Sequence, residues 1–135
     1  MKAKRGFTLI EILIVVIIIG ILSAISIPLF EKTRDRVMDK EAISMLKVLR
    51  SAQKGYRMDS GSYYASNAHA SINTNLRTTL PVEAGRNWNY SVYNGANGCS
   101  KAISCKGAAR TFFTLTTMEE PAKVSGTNPL PDECS

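Results

Sequence analysis

The chain reads as an α+β protein in which a long N-terminal α-helix, its apolar half protruding, packs by its other half against a small antiparallel β-sheet head. Three observations lead there. An apolar run fills Phe7 to Phe30 with few interruptions. A stripe of apolar residues at helical spacing follows, with no Gly or Pro between Glu31 and Lys54. Two later segments alternate polar and apolar residues as half-buried strands do. At 135 residues the chain supports one modest head once the apolar run is set aside.

The opening MKAKRG, followed by FTLIEILIVVIIIGILSAISIP, has the basic-then-apolar order of an export signal, in which the positive residues stay cytoplasmic. The head is thereby assigned to the outside. An ordinary secretory signal carries an apolar region of about 7–15 residues, whereas Phe7 to Phe30 approaches the roughly 20 residues needed to span a bilayer. The segment is therefore expected to remain in the membrane. Lys2, Lys4 and Arg5 carry half of the formal charge of +6. The rest of the chain has no Lys/Arg-rich run, a poor electrostatic footprint for nucleic acid, so DNA remains a possible partner that the charge does not support.

Glu11 is the one charge inside the apolar run, and a carboxylate there must find a partner. Two readings compete. Thr8 followed three residues later by Glu11 has capping-box spacing, which ties up free amides at a helix start. Alternatively, cleavage after Gly6 creates a positive amine at Phe7, four residues from Glu11. In a packed array the Glu11 of an arriving subunit then meets the Phe7 amine of its neighbour and sets axial register. A plain anchor for a receptor-like binding module gains nothing from a lipid-facing acid.

Beyond Phe30, Met38, Ala42, Met45, Leu49, Ala52 and Tyr56 recur at alternating steps of four and three, one face of an amphipathic helix. Arg34, Asp35, Lys40, Lys47, Arg50 and Lys54 fall mostly off it. Gly55 and Gly61 bracket a plausible exit. A helix from Phe7 to Lys54 reaches roughly 70 Å, more than a bilayer requires. Gly20 and Pro28 are its weak points, glycine by low helix propensity and proline by a missing amide hydrogen bond.

The head begins with a polar loop from Gly55 to Pro81, expected to be irregular, in which His69 reads as a surface histidine. Asn87 to Tyr93, with Trp88, Tyr90 and Val92 alternating, reads as one strand, and Arg110 to Met118 as a second. Asn94-Gly95 and Asn97-Gly98 supply turns between them. Trp88 and Tyr90 are read as core against the helix rather than as a stacking platform. The tail from Pro121, with Pro129 and Pro131, reads as extended and surface-lying. Cys99, Cys105 and Cys134 imply one disulfide and a leftover thiol in an exported protein. Cys99 and Cys105 flank a short connection that a bridge between them would stiffen. No phosphate loop, paired-acid site, nucleophile signature or metal-ligand spacing is present, so no catalytic residue, metal or cofactor is expected.

Gly6, Phe7, Thr8, Leu9, Ile10 and Glu11, before a long apolar run that extends through Pro28, resemble the processing motif of type IV pilins and pseudopilins, and the very short leader resembles the type IVa branch. The resemblance implies that a membrane prepilin peptidase cuts after Gly6 and methylates Phe7, making this chain a substrate and not an enzyme. It divides the chain into a leader (1–6), a transmembrane and filament-core half-helix (7–30), an amphipathic half-helix (31–56) and a globular head (57–135). It implies a single-pass precursor in the inner membrane, handled by the pilus assembly machinery, that leaves the bilayer for an extracellular homo-oligomeric helical filament serving adhesion, twitching motility or DNA uptake. It implies a helix that melts between Gly20 and Pro28 on assembly, and a disulfide tying the C-terminal segment to the sheet, pairing Cys134 with Cys99 or with Cys105. The rival within the family is a pseudopilin of a type II secretion system. Major pseudopilins commonly carry a calcium loop near the C-terminus, which the region of Glu119, Glu120, Asp132 and Glu133 does not convincingly reproduce.

Overall fold

A computed structural model describes residues 6–82, 84–106, 109–125 and 129–134, with the backbone alone at Glu133. Of the expected leader, 1–6, all but Gly6 lies outside the described residues. Helix α1 is assigned over Leu9–Ser60 and passes through both Gly20 and Pro28. The chain separates into a unit ending at Val37 and a unit from Met38 onward.

In the first unit every described residue is exposed, including the isoleucines of the apolar run, so none of the described residues covers them. The best 18-residue window of α1 has a mean hydropathy of 3.0, enough by length and composition to cross a bilayer. The few hydroxyls in this stretch are satisfied within it. Ser23 donates to the Ile19 carbonyl at 2.7 Å, Ser26 to Leu22 at 2.8 Å and Thr33 to Leu29 at 2.9 Å. Such back-bonding spares a helix the cost of carrying unpaired polar groups into hydrocarbon.

In the second unit the rest of α1 packs on a four-stranded antiparallel sheet of order β1-β2-β3-β4, with β1 at Trp88–Val92, β2 at Cys99–Ser104, β3 at Thr111–Leu115 and β4 at Ala122–Lys123. The register, with Tyr90 opposite Ala102 and Ala102 opposite Phe112, gathers Trp88, Tyr90, Val92, Ala102 and Phe112 on the helix face. They bury against Met38, Ala42, Leu46 and Leu49. Trp88 anchors the layer, its ring meeting Phe112 edge-on at 5.6 Å and its indole N–H donating to the Met38 carbonyl at 3.0 Å. Asp39 of α1 reaches Arg110 at 3.0 Å, and Glu41 accepts from Asn87 at 3.0 Å, so charged as well as apolar contacts join helix to sheet.

The buried helix face differs from the expected stripe. Leu46 and Gln53 lie inside, while Met45, Ala52 and Tyr56 are partly buried beside them. A carboxamide is tolerated there because Gln53 accepts from the Tyr64 N–H at 2.9 Å and donates to the Tyr64 carbonyl at 2.7 Å, which satisfies both ends of the group. The helix also continues past Gly55 and stops at Gly61, whose φ of 79° is the left-handed geometry of a helix end, with its N–H on the Arg57 carbonyl at 2.9 Å.

Four head expectations are corrected. The 55–81 stretch holds helix α2, His69–Leu76, whose apolar face is sparse, Ile72 and Leu76; its own Asn73 ties it to the segment that follows, accepting from the Leu80 N–H at 2.6 Å and donating to the Leu80 carbonyl at 2.8 Å. His69 is buried, not at the surface: Nδ1 lies 2.6 Å from the Pro81 carbonyl and Nε2 accepts from the Tyr90 N–H at 2.9 Å. The imidazole thus satisfies an amide on the outer edge of β1. The connection between Cys99 and Cys105 is strand β2, which small and polar residues disguise and which pairing on both sides creates. The tail is not merely extended over the surface, because it contributes β4 and a 3₁₀ turn, Asp132–Cys134, that buries Cys134.

Tyr90 is fully buried, and among the described residues its hydroxyl has no hydrogen-bond partner. Burial first, then the charges of Glu41 and Cys105, push its phenol above the ordinary value. An acid raised by folding gives stability that is complete below the unfolded value, near pH 10, and is lost as pH climbs beyond it. Titration from about pH 9 to 11 is expected to destabilise the wild type more steeply than Tyr90→Phe, a difference read by urea unfolding.

Candidate assembly and disulfide sites

Gly6 and Phe7 precede α1 and are exposed, Phe7 by 80%. Thr8 and Glu11 form a reciprocal cap. Oε2 of Glu11 accepts from the Thr8 N–H at 3.0 Å and from the Thr8 hydroxyl at 2.9 Å, while the Glu11 N–H donates to Thr8 Oγ1 at 3.3 Å. The capping-box geometry is thus present in the uncleaved chain, where residue 7 has an amide and not an amine. Both readings of Glu11 remain compatible, because the Thr8 bonds occupy Oε2, leaving Oε1 with no hydrogen bond among the described residues. Gly20 leaves open space, with nothing within 4 Å of where a Cβ would stand. Pro28 lies inside the helix and supplies no amide to it.

At the far end of the sequence, Cys99 and Cys134 form a disulfide with their Cα atoms 5.4 Å apart, leaving Cys105 free and exposed. Strand geometry excludes a bridge between Cys99 and Cys105. Cys99 begins β2 and Cys105 follows its end, and an extended run of that length holds its ends about 20 Å apart, far beyond disulfide reach. The bridge lies on the face of the sheet away from α1, packed with Phe113, Leu115, Ala122, Val124 and Leu130 as a second small core. Lys101 donates to the Cys134 carbonyl at 2.8 Å and fixes the turn further. The separation of 35 residues implies that the bridge restricts the unfolded chain by about 3–4 kcal/mol. Cys134→Ala, or reduction of the wild type, is expected to lower unfolding free energy by that amount in urea titrations, and reductant is expected to have no further effect on the variant.

Gln53, His69 and Lys101 are the polar residues whose roles escaped sequence reading, since each acts through a backbone partner distant in sequence. Among the described residues no group of three His, Cys, Asp or Glu side chains converges to hold a metal. Glu120 is instead paired with Lys47 at 2.7 Å, and Arg50 binds the carbonyls of Met118 and Glu119.

Residues 1–27 match the family model described as the prokaryotic N-terminal methylation motif. The chain is 40% identical to the type IV wide pilus major component of Thermus thermophilus over 88% of its own length and 96% of that protein's. It is 52% identical to the type IV major pilin protein of Myxococcus xanthus over 44% of its own length, a match that spans only 27% of that relative. It is 30% identical to the type II secretion system core protein G of Escherichia coli over 62% of this chain and 58% of that one. No solved structure gives a significant match. An apolar helix with an acid near its start, a helix-on-sheet head and near full-length similarity to a pilus component agree, and the chain belongs to the type IV pilin and pseudopilin family of structural, non-enzymatic subunits.

Proposed function

We propose that the chain is the precursor of a type IV pilus subunit, inserted in the inner membrane by residues 7–30 with residues 57–135 outside the cytoplasm, and that it polymerises through its N-terminal helix into a surface filament. A prepilin peptidase removes residues 1–6 after Gly6 and methylates the new amine of Phe7. Glu11 then meets the Phe7 amine of a neighbouring subunit, with Thr8 orienting the carboxylate, and this pairing sets the axial step. The observation that carries the reading is the wholly uncovered apolar helix with a single acid in its first turn, a surface that only lipid or other copies of the same helix can bury. In the assembled state the stretch from Gly20 to Pro28, already short of one amide bond, gives up helical structure and lengthens the fibre. The filament's service in adhesion, twitching motility or DNA uptake depends on the other components it meets, among them the inner-membrane assembly machinery.

Similarity to the Escherichia coli secretion protein supports a second reading, a pseudopilin forming a short periplasmic fibre. Expression of the precursor with a prepilin peptidase and the assembly machinery, followed by electron microscopy of sheared surface material, distinguishes them. Long fibres containing this chain support the pilus reading, short or absent fibres with normal cleavage support the secretion reading, and absence of cleavage rejects both.

A further inference from the structure

Lys47, Arg50, Lys54 and Arg57 form a basic ridge along α1 at steps of three and four residues. The first two are engaged by the 118–120 segment, Lys47 by Glu120 and Arg50 by backbone carbonyls. Lys54 and Arg57 instead border an open groove of about 470 Å³, lined also by Met58, Tyr63, Thr116 and Thr117. Among the described residues Lys54 has no hydrogen bond or ion pair, and no acid lines the groove. The nearest acid in the sequence, Asp59, lines a different cavity, with Tyr56 and Arg77.

The groove's back wall is rigid and electropositive. The guanidinium of Arg57 lies over the Tyr63 ring at 4.8 Å and donates to its hydroxyl at 2.7 Å. That hydroxyl shares a 2.7 Å bond with Thr116, which donates in turn to the Asn97 carbonyl at 2.7 Å. Gly98, at φ 52°, gives the ring its seat, because a Cβ there would stand 2.5 Å from Tyr63. The bond with Thr116, and then the charges of Arg57 and Lys54, draw the Tyr63 phenol below its ordinary value, so both cations are felt at this wall.

We propose that this groove binds the carboxylated ring of an acidic sugar. Lys54 and the unspent donors of Arg57 take the carboxylate, a charge-assisted contact. Thr117 bonds ring hydroxyls, and the exposed Met58 and the edge of Tyr63 cover the apolar face of the ring. The size lies within the usual range for small-ligand sites. The proposal does not depend on filament formation, because binding is measured on unassembled protein and its failure leaves the assembly reading untouched.

The test is titration of the full chain, in micelles of a detergent without a sugar headgroup, with glucuronate, glucose and inorganic phosphate, followed by NMR of the Lys54, Arg57, Tyr63 and Thr117 resonances. Glucuronate is expected to shift these resonances saturably. Glucose, without the charge, and phosphate, without the ring, are each expected to bind roughly ten-fold or more weakly. Lys54→Gln, which removes no hydrogen bond or ion pair within the described residues, is expected to weaken glucuronate binding by a similar factor while leaving thermal unfolding unchanged. Absence of saturable shifts, equal binding of phosphate or glucose, or full affinity in Lys54→Gln overturns the proposal.

Discussion

Glu11→Ala is expected to leave the precursor inserted and cleaved but to cut recovery of sheared surface fibres roughly ten-fold or more. In the proposed reading insertion rests on the apolar run, which the change lengthens, and cleavage on Gly6 and Phe7, which it leaves in place. Two contributions of the acid are lost together in this variant: its cap on Thr8 and the charge proposed to meet a neighbour's amine. Glu11→Gln separates them. A carboxamide oxygen still accepts from the Thr8 N–H and hydroxyl, so the cap survives while the charge does not. Fibre yield from Glu11→Gln is expected to match Glu11→Ala; recovery to near wild-type level would assign the acid to capping alone. Quantitative immunoblotting of sheared and membrane fractions gives both numbers.

Trp88→Ala is expected to cost the head about 3–5 kcal/mol, a large part of the stability of a domain this size. The side chain is fully buried at the centre of the helix-sheet layer, against Met38 and Phe112, and its indole N–H is held by the Met38 carbonyl. Alanine leaves a cavity bounded by a helix and a sheet that carry their own hydrogen-bond ladders, so neither collapses readily into it. Trp88→Phe, which keeps most of the volume, is expected to cost roughly half as much. Trp88 is the sole tryptophan, so unfolding of the variants is followed by amide hydrogen exchange in β1 and β2 rather than by fluorescence.

Much of this fold was legible because its signals are local. The Phe7–Phe30 run, the helical spacing from Met38 to Leu49 and the alternation of Trp88, Tyr90 and Val92 each announce their element from neighbouring residues alone. Strand β2 was not legible: Ser100, Lys101 and Ala102 have little strand preference of their own, and it exists because β1 and β3 offer hydrogen bonds on both sides. Helix α2 and the burial of His69 were hidden for the same reason, since the histidine's partners, Pro81 and Tyr90, lie 12 and 21 residues away. Gln53 was passed over because a polar residue on a buried face signals nothing until its partner, Tyr64, comes into place. At the candidate site Thr8 and Glu11 were readable because a capping box is a spacing of three residues. The choice of Cys99 over Cys105 awaited the placement of Cys134, which the tail folds against the start of β2 and not past its end.

The proposed pairing of Glu11 needs an amine at Phe7, which only cleavage after Gly6 creates. Intact mass spectrometry of subunits dissociated from sheared fibres tests this most directly: the account predicts a chain beginning at N-methylated Phe7, and fibres built from subunits that retain Met1 to Gly6 would contradict it.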